Sequence, residues 1–339
     1  MSSPATRQPT PQLFFQTISA YQNTEALKAA IELEVFSAIA EGSQTPEAIS
    51  KKCRASERGI RILCNYLCIM GFLEKKDDQY SLTADSAAFL DKRSPAYLGG
   101  VIDFLLSPML TEGFRDLATV VRKGSTTIPN EGAVAPENPI WVKFARAMAP
   151  MMAMPAKFLA QIVDEKAEAK LKILDIAAGH GLFGLAFAAH HPRAEVVAQD
   201  WANVLEVAKE NAVKAGVMDR YRLLAGSAFD VDYGTGYDLI LLTNFLHHFD
   251  PLTCETLLKK VHASLADRGR AIILEFVPNE DRISPPDAAK FSMMMLGATP
   301  GGDAYTFSDL DRMARNAGFT RSDSRPVPGS FHTVVMAYK

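Results

Sequence analysis

The most informative stretch of the chain is Ile173-Leu174-Asp175-Ile176-Ala177-Ala178-Gly179-His180-Gly181-Leu182-Phe183-Gly184. An apolar strand leads into a glycine-rich turn, and a helix of small and apolar residues follows. Glycines at positions 179 and 181 let the backbone turn sharply and approach a ligand closely. The first turn of the helix offers unpaired N–H groups to that ligand. The pattern therefore predicts a ligand-binding turn between a strand and a helix.

A second predicted strand, Ala194-Glu195-Val196-Val197-Ala198-Gln199-Asp200, ends in an acidic residue. In a doubly wound sheet, a carboxylate about 20 residues beyond the glycine turn binds the hydroxyls of a ribose. Asp200 therefore indicates a cofactor that contains adenosine.

Two kinds of cofactor fit this turn. Gly179, Gly181 and Gly184 satisfy the G-x-G-x-x-G pattern of nicotinamide dehydrogenases, although a single match of this kind is a weak signal. Asp175 lies inside the strand, where its carboxylate would repel an anionic pyrophosphate. S-adenosylmethionine carries a sulfonium and an ammonium group, so an acid near the turn is useful to it. The sequence thus favours methyl transfer over hydride transfer.

Length and composition are those of an ordinary globular protein. The 339 residues suit two domains, and the net charge of −3 provides no basic footprint for nucleic acid. The four cysteines lack zinc spacing, and no apolar run reaches membrane-spanning length. The segment from Met1 to Pro11 lacks the apolar core of a signal peptide. We therefore expect a cytoplasmic protein without a metal, a membrane or a nucleic-acid partner.

The first hundred residues predict a mostly helical domain. One amphipathic helix is predicted from Thr24 to Ala40, and Thr45 and Ser56 begin two more. Residues 72–74 and 79–82 form a predicted hairpin. Three helices followed by a hairpin are the order of a winged helix.

A winged helix raises the alternative of a transcription regulator. The third helix is mostly apolar, with Arg58 and Arg61 as its basic residues. A helix that reads DNA needs polar side chains for base edges and several cations for phosphates. An apolar helix is instead buried in its own domain or against another subunit. We therefore predict a dimerisation domain over residues 12–95.

From Leu171 onward, predicted strands and helices alternate. The strands are predicted at 171–176, 194–199, 221–225, 237–243, 270–277 and 331–338, and the helices at 182–190, 203–215, 251–265 and 307–317. This alternation predicts an α/β fold with a doubly wound parallel sheet over residues 166–339. Residues 96–165, with helical segments at 97–122 and 140–163, are predicted to form a linker and substrate lid.

Ligands of such a sheet bind beyond the C-terminal ends of its strands. Trp201 either covers an adenine face or packs at the start of a helix, and the pattern leaves both open. Ser227 and Ala228 lie where an adenine edge would meet a hydroxyl and backbone groups, although an ordinary turn explains them equally well.

Two histidines, His247 and His248, follow the apolar strand, and Glu275 ends the next one. Neighbouring side chains point different ways, so we expect one histidine to face the cleft. A carboxylate beside an imidazole fixes its tautomer and raises its basicity, as a general base requires. A metal site of His247, His248 and Asp250 is a weaker alternative, because adjacent histidines rarely converge on one ion.

Together these motifs resemble the small-molecule O-methyltransferases of the plant caffeate/flavonoid and bacterial polyketide-tailoring type, over roughly Leu13 to Tyr338. Residues 175–181 are similar to the family's D-V-G-G-G-x-G, with alanines at 177 and 178 in place of two glycines. Residues 226–229 are similar to G-D-x-F, with serine in place of aspartate. Residues 246–250 are similar to L-H-D-W-x-D, with His248 in place of the aspartate.

The resemblance implies a homodimer formed through a winged-helix domain, followed by a Rossmann-like class I methyltransferase domain that binds S-adenosylmethionine. Its implied cofactor-binding residues are Asp175, Ala177, Gly179, Gly181, Asp200, Trp201, Ser227, Ala228 and Thr243. His247 is implied to be the base and Glu275 its support. A second supporting acid is replaced by Ala304. Carbon methylation, or a reaction without methylation on the same scaffold, remains the alternative.

The acceptor side of the site is expected among methionines and aromatic residues. Methionines adapt to flat aromatic rings and make favourable contacts with them. Stripes of methionine at helical spacing are also common in ordinary cores. The predicted substrate-binding residues are Met148, Met152, His248, Phe291 and Met294, and Phe104 and Met109 are candidates for the lid.

Overall fold

The computed structural model describes residues 8–129, 132–163 and 170–339. Most of the segment used to exclude a signal peptide, and part of the predicted linker, lie outside these ranges. The chain forms two compact units, Met1–Ile102 and Asp103–Lys339. The helices at 103–163 thus group with the sheet-containing unit.

The first unit contains the predicted helices and hairpin. Its elements are α1 (Gln12–Ile18), α2 (Tyr21–Glu32), α3 (Val35–Ala40), α4 (Pro46–Cys53), α5 (Glu57–Ile69), β1 (Leu73–Lys76), β2 (Gln79–Leu82) and α6 (Ala84–Phe89), followed by a 3₁₀ turn at Gly99–Val101. The hydroxyls of Thr45 and Ser56 cap α4 and α5, as predicted. The single helix predicted from Thr24 to Ala40 is wrong, because Glu34 adopts a left-handed conformation (φ 57°) and separates α2 from α3. The sequence pattern did not indicate α1 or α6.

The second unit contains a seven-stranded sheet and the remaining helices. Its strands are β3 (Lys172–Ile176), β4 (Glu195–Asp200), β5 (Tyr221–Ala225), β6 (Tyr237–Thr243), β7 (Leu265–Glu275), β8 (Arg321–Pro326) and β9 (Thr333–Tyr338). Its helices are α7 (Ile102–Leu105, at the boundary), α8 (Pro108–Glu112), α9 (Leu117–Lys123), α10 (Ile140–Ile162), α11 (Leu182–His190), α12 (Ala202–Lys214), α13 (Pro251–Ser264), α14 (Pro286–Ala289), α15 (Phe291–Ala298) and α16 (Phe307–Asn316). Short 3₁₀ turns lie at Gly132–Val134, Met218–Arg220 and Leu246–His248.

The strand order is β5-β4-β3-β6-β7-β9-β8, which confirms the predicted doubly wound sheet. The strands β3 to β7 run parallel, and β9 is antiparallel to both β7 and β8. The edge strand β8 was not predicted, because its sequence Arg-Ser-Asp-Ser-Arg-Pro is polar and largely exposed. The helical segment predicted at 97–122 consists of several short helices, since Pro108 and Gly113 interrupt it.

Helices cover both faces of the sheet. Side chains alternate along β3, so Ile173 packs with α10 and α11, whereas Leu174 and Ile176 face the core shared with α13 and α16. All three of these side chains are fully buried, so both faces of the strand are covered. The parallel strands therefore end at one edge, where the glycine turn lies. None of the helices in residues 8–129, 132–163 and 170–339 combines the length and the apolar content that a membrane-spanning helix needs.

Candidate active site at the ends of the parallel strands

The glycine turn after β3 has an unusual backbone. Ala177, Gly179 and Gly181 all have positive φ angles, of 52°, 57° and 74°. A Cβ atom on Gly181 would lie 2.6 Å from the Tyr221 hydroxyl, so this position requires glycine for space as well as conformation. Ala177 occupies the left-handed region at a cost of about 1–2 kcal/mol.

The Asp200 carboxylate is positioned by two backbone donors at the end of β4. Its Oδ2 accepts the N–H of Gly179 at 2.8 Å, and its Oδ1 accepts the N–H of Trp201 at 2.7 Å. Burial raises the pKa of Asp200 to about 6, although these two hydrogen bonds act in the opposite direction. The carboxylate is thereby held against the turn.

Gln199 is a site residue that the sequence reasoning missed. Its Oε1 accepts the N–H of Ala177 at 3.3 Å, and its Nε2 donates to the carbonyl of Gly226 at 2.6 Å. This buried amide therefore ties together the ends of β3, β4 and β5. A polar residue one position before the acid in an otherwise apolar strand was the available signal.

A cavity of about 510 Å³ opens at these strand ends. Its wall is formed by Val134, Pro136, Trp141, Phe144, Ala177, Gly179, Gln199, Asp200, Trp201, Val204, Gly226, Ser227, Ala228, Phe229, Asp230, Thr243, Asn244, Phe245, His248, Phe249, Asp250, Thr253, Pro300 and Gly301. Seven of the nine predicted cofactor-binding residues are in this wall: Ala177, Gly179, Asp200, Trp201, Ser227, Ala228 and Thr243. The structure thus brings most of the predicted cofactor site together.

The chemistry of this wall fits S-adenosylmethionine. Asp200 offers a carboxylate for the two hydroxyls of a ribose. The Trp201 side chain lines the cavity and packs against the buried Ala145, Val204 and Val207. Packing is therefore observed, and the covering of an adenine face stays a prediction. The Ser227 hydroxyl accepts the N–H of Phe229 at 3.1 Å, which shapes the turn where an adenine edge is expected.

Asp175 and Gly181 are the two predicted cofactor residues that lie outside the cavity wall. Asp175 is fully buried, and its Oδ2 accepts the N–H of Gly184 at 2.9 Å. Burial raises the pKa of Asp175 to about 7. Its carboxylate faces α11 because side chains alternate along β3, so it braces the helix behind the turn.

His247 and Glu275 form a buried pair where β6 and β7 end. Nδ1 of His247 lies 2.5 Å from Oε2 of Glu275. The other carboxylate oxygen, Oε1, accepts the N–H groups of Phe245 at 2.9 Å and Leu246 at 2.8 Å. The carboxylate is therefore fixed by the backbone of the 3₁₀ turn that carries the histidine. The structure thus brings together the predicted base and its predicted support.

His248 is the histidine that lines the cavity, whereas His247 lies behind it. The His248 ring packs edge-on against Trp141, with ring centroids 5.1 Å apart, and against His247 at 4.2 Å. Burial lowers the pKa of His248 well below its usual value, so the ring is neutral at pH 7. Its Nδ1 is buried and has no hydrogen-bond partner among the described residues.

The other predicted substrate residues lie outside the cavity wall. Phe291 packs edge-on against His247, with ring centroids 4.8 Å apart, and stacks on Phe276, with ring centroids 3.9 Å apart. Phe291 therefore covers the proposed base. Met152 is buried in the core beside α11, and Met148 packs against that core. Met294 is half-buried on α15. The observed contacts of these methionines are packing contacts, and their part in binding an acceptor stays a prediction.

The second supporting acid is absent from its expected position. Ala304 is fully buried there, and the neighbouring Asp303 carboxylate pairs with the Arg282 guanidinium at 3.5 Å. Elsewhere in the described ranges, no group of three or more histidine, cysteine, aspartate or glutamate side chains is placed to hold a metal ion.

Comparisons with known proteins agree with this architecture. Residues 114–320 match the model of the O-methyltransferase domain, and residues 15–92 match that of the O-methyltransferase dimerisation domain. The 3-hydroxy-5-methyl-1-naphthoate 3-O-methyltransferase of Streptomyces sahachiroi is 27% identical over 316 residues, which are 91% of this chain and 89% of that protein.

Two solved structures share the fold. A protein of Nostoc punctiforme, provisionally classed as an O-methyltransferase, is 54% identical with a TM-score of 0.94, over 98% of this chain and 100% of that chain. Human N-acetylserotonin methyltransferase, solved with S-adenosylmethionine, is 20% identical with a TM-score of 0.85, over 99% of both chains.

The predicted fold class is confirmed by the sheet and by these likenesses. The predicted cofactor, S-adenosylmethionine, is confirmed at the level of the family. The matched domain spans more than half of the 339 residues and contains the whole cavity wall. The chain therefore belongs to the O-methyltransferase family.

Proposed function

We propose that the protein transfers a methyl group from S-adenosylmethionine to a hydroxyl of a small aromatic acceptor, with His247 as the general base. The observation that carries this proposal is the buried pair of His247 and Glu275, 2.5 Å apart, beside the cavity. The cofactor, when bound, supplies a methyl group already activated by a sulfonium. The chain has to position both molecules and accept one proton.

The pair is arranged to accept that proton at one atom. Glu275 accepts three backbone N–H bonds through Oε1, which leaves Oε2 to accept Nδ1–H of His247. The ring's Nε2 then carries a lone pair in the neutral tautomer. A phenol can pass its proton to this lone pair as its oxygen forms the new bond to the methyl carbon.

The binding residues are divided between two parts of the strand edge. Asp200, Trp201 and Ser227, at the ends of β4 and β5, are placed to hold the ribose and adenine. The base and its support, at the ends of β6 and β7, are placed for the acceptor. This division supports a reaction near the middle of the sheet edge, which is where doubly wound folds bind their ligands.

Aromatic side chains support a flat aromatic acceptor. Phe104, Trp141 and Phe144 form one cluster, with ring centroids 5.0 to 6.3 Å apart. Trp141 and Phe144 line the cavity, and such rings favour offset or edge-on contacts with another ring. The Streptomyces sahachiroi relative is named for a hydroxynaphthoate acceptor, which agrees with this chemistry.

Calorimetry and product analysis test the proposal. S-adenosylhomocysteine should bind, and NADPH should not. A library of phenols incubated with methyl-labelled cofactor should then give methyl ethers, identified by mass spectrometry and NMR. Methylated ring carbons would instead show a C-methyltransferase, and NADPH binding without S-adenosylhomocysteine binding would favour the dehydrogenase.

We further propose that the protein is a homodimer formed through its first unit. That unit matches the dimerisation domain over residues 15–92. In α1, Leu13, Phe14 and Phe15 are each more than half exposed, and Ile69 of α5 is 81% exposed. Apolar side chains gathered on one small unit are typical of a surface that a second subunit covers.

A further inference from the structure

His332 lies at the reactive edge of the sheet although it is far from the other site residues in sequence. The strand β9 is antiparallel to β7, and Thr333 is paired with Glu275. An antiparallel strand begins where its parallel neighbours end, so the residue before Thr333 lies at the edge that carries the base pair. The loop is closed there by the Val327 N–H, which donates to the His332 carbonyl at 2.9 Å.

The hydrogen bonds of Ser330 involve the backbone N–H and the Nδ1 atom of His332. The Ser330 hydroxyl oxygen accepts the His332 backbone N–H at 3.4 Å and lies 2.7 Å from Nδ1. The oxygen can accept the backbone N–H and donate its own hydrogen to Nδ1, and in that arrangement the neutral ring carries its proton on Nε2.

Nε2 of His332 is a buried ring nitrogen that lacks a partner among the described residues. His332 is only 4% exposed, and burial lowers its pKa to about 4, so the ring is neutral at physiological pH. A buried donor without an acceptor is destabilising, which native structures tolerate mainly where a water, ion or ligand completes the bond.

His332 and the proposed base His247 share neighbouring aromatic rings. The centroid of the His332 ring lies 4.5 Å from that of Phe276. The Phe276 ring stacks on Phe291, and its centroid lies 6.2 Å from that of His247. His247 and His332 therefore flank the same pair of phenylalanine rings. Phe276, Phe291 and His332 lie outside the cavity wall, so an acceptor that meets both imidazoles has to displace the two phenylalanine rings.

We infer that His332 is a specificity-determining residue, whose Nε2–H donates a hydrogen bond to a second oxygen of the acceptor. That oxygen lies across the acceptor's ring system from the hydroxyl that His247 deprotonates. The favoured acceptors are then fused aromatic phenols with a carbonyl or hydroxyl on the adjoining ring. This inference rests on the proposed methylation of an aromatic hydroxyl.

Two matched acceptors test it: tetrahydronaphthol, and the hydroxytetralone that differs from it by one carbonyl on the saturated ring. Wild-type protein should methylate the hydroxytetralone with a kcat/KM about ten-fold higher or more, because sites built to hydrogen-bond a substrate group discriminate against analogues that lack it. The variant His332→Phe keeps an aromatic ring beside Phe276 and should abolish this preference without changing affinity for S-adenosylhomocysteine.

A second variant, Ser330→Ala, removes the group that holds the tautomer and should reduce the preference partly. It also provides the same measurement if His332→Phe does not fold. An unchanged preference in both variants, or no preference in wild-type protein, would overturn the inference. Calorimetric binding of the two acceptors with S-adenosylhomocysteine present separates the two proposals. A binding preference that His332→Phe removes, without turnover, would retain the inference and reject the proposed reaction.

Discussion

The imidazole of His247 and the carboxylate of Glu275 meet at 2.5 Å, and their side chains are only 5% and 3% exposed. The contact joins the 3₁₀ turn after β6 to the last residue of β7. Because three backbone N–H groups also bind this carboxylate, it cannot rotate away without breaking the turn. The orientation of the base is therefore built into the sheet edge.

Replacement of His247 by Ala should lower turnover about 100-fold or more, because it removes the imidazole that is proposed to accept the phenol proton. Affinity for S-adenosylhomocysteine should stay within about two-fold, since His247 lies outside the cavity wall. Labelled-methyl transfer and calorimetry measure the two quantities. The exposed His190→Ala serves as control, and full activity in His247→Ala would reject the base assignment.

Replacement of Glu275 by Gln should lower turnover by a smaller factor, about ten-fold or more. The amide oxygen can still accept the N–H groups of Phe245 and Leu246, but its NH₂ group then faces Nδ1 of His247. This arrangement favours the tautomer with the proton on Nε2, where the base needs a lone pair. The surface variant Glu255→Gln is the control. Wild-type turnover in Glu275→Gln would mean that the carboxylate does not set the tautomer.

Replacement of Asp175 by Asn should stabilise the protein increasingly as the pH rises. The pKa of this carboxyl is about 7 in the folded chain, against an ordinary 3.8, so the folded state binds the proton more tightly. In wild-type protein, this tighter proton binding contributes to the free energy of unfolding at low pH, and the contribution is lost as pH rises towards 7. The free energy of unfolding of Asp175→Asn should therefore exceed that of wild-type protein by an amount that levels off near neutral pH, on the order of 4 kcal/mol at most.

Urea unfolding from about pH 5 to about pH 8 measures this difference in the free energy of unfolding. The exposed Asp219→Asn should show no such trend. A difference for Asp175→Asn that stayed constant across this range would show that the carboxyl titrates normally.

The two glycines of the turn should respond differently to alanine. Gly181→Ala should cost about 3 kcal/mol, because the new Cβ would lie 2.6 Å from the Tyr221 hydroxyl and 3.0 Å from Ala208 in a left-handed backbone. Gly179→Ala should cost about 1 kcal/mol, since its nearest neighbour would be 3.9 Å away. Thermal or urea unfolding ranks them, and equal losses would argue against the contact with Tyr221.

Replacement of Phe14 by Glu should weaken the proposed homodimer, because a charge on an apolar contact surface must be desolvated on association. Light scattering coupled to gel filtration should show a larger monomer fraction at micromolar concentration. The matched control is Val213→Glu on α12, whose side chain is similarly exposed but lies in the other unit. An unchanged dimer in Phe14→Glu would place the interface elsewhere.

Local patterns were sufficient to predict the architecture. The strand, the glycine turn and the following acid are adjacent in sequence, and the alternation of strands and helices leaves few topologies. Exceptions arose where the local signal was weak. The polar edge strand β8 carries no apolar pattern, and the break at Glu34 lies inside a continuous amphipathic stretch.

The chemical roles of single residues depended on contacts between distant segments. The sequence was enough to predict the turn, Asp200 and the pairing of His247 with Glu275, because strand ends of a parallel sheet share one edge. Three features were visible only in the tertiary structure. Asp175 faces α11, Gln199 joins the ends of three strands, and His332 lies close to the proposed base. Those positions follow from side-chain alternation and antiparallel pairing across many residues, which no short sequence window records.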